Sequence, residues 1–206
     1  SEARAQLAVD QDDRRAVIVL GLAGHPDDAP FLLNMWTGAG RRMRLTLCRA
    51  MGLHGDPRFL GPLMGWLGSV DVDPGHGFAL RAESAVAIGR LGFQLSKNAL
   101  IRALENEAMD FEGRPGAGLG IQRSVRSHIL SALGEIQSGG RLLSTYLANT
   151  HGSADGGFYL PAMDALWKCG DAEALAALMN ESDIVAANAL GVIRAISGPK
   201  AVRPWC

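Results

Sequence analysis

This 206-residue sequence has only 3 lysines against 17 arginines, 3 cysteines, and 6% aromatic residues. The cysteines, Cys48, Cys169 and Cys206, are too few and too scattered for a disulfide framework, and no Cys-x-x-Cys pair offers a metal or redox site. A reducing, cytoplasmic setting suits such a chain, with Cys48 and Cys169 read as small buried apolar residues. Few aromatics argue against one core built on large rings. No apolar run approaches the ~18 residues of a membrane span, because Arg15–Gly24 runs straight into His25, Pro26, Asp27 and Asp28. With 48% hydrophobic and 20% charged residues and a net charge of −1, disorder throughout is also excluded. The signatures of catalysis are missing too: no Gly-x-Ser-x-Gly elbow, phosphate loop, His-Glu-x-x-His helix, or cysteine beside an obvious base. A non-enzyme without a cofactor is therefore expected. The first residue is Ser1 rather than methionine, so the chain reads as processed or as a piece of a longer one, here a single domain over 1–206.

Glycine, in contrast, is abundant, with 26 residues, and it recurs. Leu20-Gly21-Leu22-Ala23-Gly24-His25-Pro26 returns as Met51-Gly52-Leu53-His54-Gly55-Asp56-Pro57, then as Ile88-Gly89-Arg90-Leu91-Gly92. Leu133-Gly134-Glu135-Ile136 follows, with its turn widened to Ser138-Gly139-Gly140, and Leu166-Trp167-Lys168-Cys169-Gly170 makes a fifth copy. Taking Gly21, Gly52, Gly89, Gly134 and Trp167 as anchors, the spacings are 31, 37, 45 and 33, each the length of one helical hairpin. Before the anchors, Leu47 and Ala50, Ser84 and Ala87, and Ile129 and Ala132 recur at the spacing of a buried helical face. These are the first helices of each pair. Val17–Leu20 has strand composition but lies in this register, so it is assigned to a helix.

Second helices are expected at 28–36, 58–67, 96–104, 141–147 and 171–179, with Ser96 and Asp171 as N-caps. Gly24, Gly55, Gly92 and Gly170 fall where a helix needs a left-handed terminating residue, and the anchor glycines sit inside the last turn, where a missing side chain permits close approach. Eight residues before the anchor stands an arginine, Arg44, Arg81 or Arg126, each after an apolar residue and read as an inter-repeat polar ladder. The pattern of apolar-Arg, small residues, apolar-Gly-x-x-Gly and a Leu-rich second helix resembles the HEAT-like repeats of bilin lyases and many bacterial scaffold proteins, over about residues 10–198. The resemblance implies an all-α, right-handed α-α superhelix, an armadillo-type α-solenoid of about five to six helical pairs. For function it implies a protein-binding scaffold or adaptor.

In a stack of hairpins, function sits on exposed side chains and inserted loops. Three insertions, 68–78, 105–120 and 148–158, are expected along one edge. They make Asp73, His76, Phe111, His151 and Asp155 candidate partner contacts, beside Trp36, Trp66 and Tyr146 late in second helices. Metal binding by Asp71, Asp73, His76, His151 and Asp155 lacks the spacing of a calcium loop and is not expected. Gly113–Gly120 does not follow a strand, so it is no dinucleotide fingerprint. His25 and His54 at successive turns read as residues that bond to the neighbouring repeat, and His128 as an ordinary helical residue. The alternative function is nucleic-acid binding through Arg41, Arg42, Arg44, Arg49 and Arg58, weakened by the slightly acidic balance of the whole chain.

Overall fold

The computed structural model describes residues 2–68, 74–113, 119–137 and 159–169. These residues are helical, with no strand among them. The helices are α1 (Glu2–Val9), α2 (Arg14–Ala23), α3 (Asp28–Gly38), α4 (Arg41–His54), α5 (Leu60–Leu67), α6 (Pro74–Leu91), α7 (Lys97–Gly113), α8 (Leu119–Glu135) and α9 (Tyr159–Cys169). Short 3₁₀ turns at Pro57–Phe59 and Gln94–Ser96 lead into α5 and α7.

The anchor glycines decide how the helices meet. α2 packs on α4, α4 on α6, α6 on α8, and α8 on α9. A Cβ added at Gly21, Gly52, Gly89 or Gly134 would stand 2.6, 2.7, 2.8 or 2.8 Å from the Cα of Ala50, Ala87, Ala132 or Ala165. Each alanine lies two residues before the next anchor, so one Ala-x-Gly tripeptide serves two junctions. Its alanine faces the helix before and its glycine the helix after. Mid-helix glycine costs ~1 kcal/mol against alanine, and backbone-to-backbone contact is what offsets it here. The residue between them, Met51, Ile88, Leu133 or Leu166, is 0–1% exposed and fills the core beneath the contact, with Leu20 equivalent on α2. Val17 of the strand-like run is likewise buried on α2.

Three residues after the anchor the chain turns left-handed. Gly24, Gly55 and Gly92 take φ of 61°, 80° and 71°, and the amide of each bonds back to the carbonyl of Leu20, Met51 or Ile88. The fourth copy differs from expectation. There Gln137, three residues after Gly134, takes a left-handed φ of 49°, while Gly139 and Gly140 lie outside the described residues.

Other boundaries also depart from the sequence reading. The expected loop at 105–120 is mostly helix, since α7 runs on to Gly113 and α8 starts at Leu119. Glu, Ala and Met are good helix formers, and that propensity carries α7 through the acidic run that was read as a loop. Likewise, α6 starts at Pro74, since proline suits the first helical position. Ser96 is not an N-cap: its buried hydroxyl donates to the Phe93 carbonyl at 2.5 Å. Helix α1 was not expected at all. It buries Ala3 and Leu7, and Arg4 is ion-paired with Asp28 at the start of α3. The expected second helices at 141–147 and 171–179, with Asp171 and Gly170, lie outside the described residues.

Candidate partner-binding surface

The second helices are held further apart than the first. Trp36, late in α3, and Trp66, late in α5, meet edge to face with ring centroids 4.7 Å apart and planes at 85°. Both are half-buried at the margin of the core. The Arg44 guanidinium lies 4.9 Å from the Trp66 ring centroid, a cation–π contact. Arg44 therefore serves its own pair. Arg81 in the same register bridges pairs instead, its buried Nε donating to the Leu67 carbonyl of α5 at 3.3 Å. A cation there also suits the negative end of the α5 dipole. Arg126 holds the same register and is equally buried.

On the other side of α3, a cavity of about 450 Å³ opens toward α1. Its floor is apolar, from Leu7, Phe31, Met35 and Met43, with Gln11 and Asn34 among its polar lining. Among the described residues that line it, Asp12 is the one ionisable side chain. The sequence reading missed the cavity because it overlooked α1, whose signal was the i, i+4 pair Ala3 and Leu7.

The turns are tied to each other. His54 Nε2 lies 2.9 Å from the His25 carbonyl oxygen and donates to it, and the His54 ring packs edge to face on Phe59. The link from His54 to the preceding turn is the neighbour-bonding role read from the sequence. Arg58 reaches the Pro26 carbonyl at 2.9 Å and grips both oxygens of Asp56, at 2.9 and 2.7 Å. The guanidinium bonds hold the Asp56 carboxyl down at about 2, from an ordinary 3.8. A folded value below the unfolded one means this tie contributes fully above about pH 4 and is lost as pH falls toward about 2. Asp56→Asn should lower the urea midpoint near neutrality, where the tie contributes fully, and flatten its acid dependence across that window, so that the difference from wild type closes as pH falls toward about 2.

Of the basic stretch, Arg44 lies on Trp66, Arg49 is paired with Glu83 of α6, and Arg58 with Asp56. Arg41 and Arg42 are exposed. Cys48 is buried with its Sγ 3.6 Å from the Ser84 hydroxyl, and burial pushes its thiol up to about 12, so it is inert as a nucleophile near pH 7. Cys169 is only half-buried, a departure from the sequence reading.

Among the expected contact residues, the structure brings Trp36 and Trp66 together. His76 falls in the first turn of α6 and Phe111 in the last turn of α7. Asp73, Tyr146, His151 and Asp155 lie outside the described residues. Among the described residues no cluster of three or more His, Cys, Asp or Glu side chains could hold a metal ion, and no helix is long and apolar enough to cross a membrane. No known protein family and no curated protein matches this sequence.

Proposed function

We propose that this protein is a non-enzymatic scaffold or adaptor, a right-handed superhelix of about five to six HEAT-like pairs that binds another protein. First helices at backbone distance, with α3 and α5 held apart by the Trp36–Trp66 pair, support a wedge between neighbouring pairs, the origin of curvature in a solenoid. The observation that carries the functional reading is the half-buried Trp36–Trp66–Arg44 cluster. Large half-buried rings braced by an arginine have the character of interface anchors. The basic stretch supports nucleic-acid binding less well, since Arg44, Arg49 and Arg58 hold structural partners.

Affinity capture with the wild-type chain and with Trp66→Ala tests the reading. A partner held by the wild type should be weakened by about 30-fold or more in the variant, with the helical circular dichroism unchanged and the complex little affected by added salt. Steep loss with salt would point to phosphate contacts instead. Unfolding of the variant would make Trp66 a core residue.

A further inference from the structure

Helix α1 packs on α2 as α3 packs on α4 and α5 on α6, so it takes the place of a second helix. Two gaps between second helices can then be compared, α1 beside α3 and α3 beside α5, and they are closed differently. Between α3 and α5 the filler is the Trp36–Trp66 pair, ring on ring at 4.7 Å. Helix α1, Glu-Ala-Arg-Ala-Gln-Leu-Ala-Val, has no aromatic residue. Arg4 near its start reaches Asp28 at the start of α3. Towards the other end, where Trp36 and Trp66 lie on their own helices, the space stays open as the 450 Å³ cavity. Ala8, on its wall, is the next-to-last residue of α1, as Trp66 is of α5.

The lining sets the chemistry of an occupant. Phe31 offers a ring, and Met35 and Met43 offer polarisable thioethers, surfaces suited to an aromatic face. Asp12 supplies the charge. Its side chain is exposed and holds no ion pair among the described residues, so a bound cation gains a partner without displacing one. The volume falls within the about 300–1,000 Å³ of small-molecule sites.

We propose that the cavity between α1 and α3 binds a flat aromatic amine, its ring doing there what the tryptophans do between α3 and α5 and its ammonium group lying at Asp12. This goes beyond the scaffold reading and uses neither Trp66 nor Arg44. The probe is 2-naphthylmethylamine, titrated into the full chain by isothermal calorimetry. Two comparison ligands are 2-naphthoate, of opposite charge, and 1-adamantylmethylamine, a globular amine of similar size. The naphthyl amine should bind with a dissociation constant of about 100 μM, and about threefold more tightly than either comparison ligand. Asp12→Asn should remove the preference over 2-naphthoate while both still bind. Ala8→Trp should fill the space and abolish binding, with a urea midpoint equal to or above that of the wild type. Ala8 and Asp12 are exposed, and unchanged circular dichroism checks that both variants fold. Absence of saturable binding, binding that survives Ala8→Trp, or equal affinity for the amine and the carboxylate overturns the proposal. So does a dimer that Ala8→Trp converts to a monomer, because the occupant is then a second copy of the chain.

Discussion

Gly89→Val should lower the free energy of unfolding by about 3 kcal/mol or more, although glycine is among the poorest residues for a helix interior. A Cβ at Gly89 meets the Cα of Ala132 at 2.8 Å and its Cβ at 3.0 Å, well inside ordinary contact. The nearest atom is backbone, so no rotamer change relieves it and α6 and α8 have to separate. That opens the layer in which Ile88 and Leu133 are buried. Separation also explains why Ala132→Gly should rescue little, since it removes the Cβ and leaves the Cα. Gly65 in α5 is the control. Nothing lies within 4 Å of a Cβ added there, and Gly65→Ala should stabilise by about 0.5–1 kcal/mol through helix propensity and reduced unfolded-state freedom. Urea midpoints for the two variants should move in opposite directions. A Gly89→Val chain as stable as wild type would refute backbone contact between α6 and α8.

Arg4→Met should cost about 2–4 kcal/mol. Asp28 is 2% exposed, and the Arg4 guanidinium is its ion-pair partner. Removing the cation strands a carboxylate where water does not reach, and the cost exceeds the net worth of the pair because desolvation is no longer offset. The lower part of the range is the better expectation, since the Arg4 side chain keeps 36% of its surface in solvent. Asp28→Asn in the Arg4→Met background should recover part of the loss by making the buried group neutral. A double variant no more stable than Arg4→Met alone would show that α1 is held mainly by Ala3 and Leu7.

How much of this was legible in the sequence follows from what each contact uses. The anchor and terminating glycines could be read directly because their roles depend on lacking a side chain, and nothing else substitutes at backbone distance. Val17–Leu20 could be placed in a helix only because the repeat register overrode its strand-like composition. The acidic run from Glu105 misleads because its charge and the glycines beyond it have the composition of a loop, while the helix propensity of its Glu, Ala and Met residues carries α7 through it. The Trp36–Trp66–Arg44 cluster was half legible. The tryptophans stand out at the ends of second helices, but the arginine register suggested one role for three residues that act differently: Arg44 lies on a ring and Arg81 caps a helix. The cavity beside α3 is legible only through α1, whose signal before the first repeat is no more than the pair Ala3 and Leu7.

The shared Ala-x-Gly tripeptide makes the junctions interchangeable. Excising residues 53–89 would join Gly52 to Arg90 and set Gly52 opposite Ala132, the same pairing that Gly89 makes now. The ion pair of Arg49 with Glu83 would be lost, but the backbone contact would be regenerated without a single substitution. The glycine-to-alanine contact therefore sets no requirement of its own on which first helix follows, and specificity between neighbours has to come from the side chains around it.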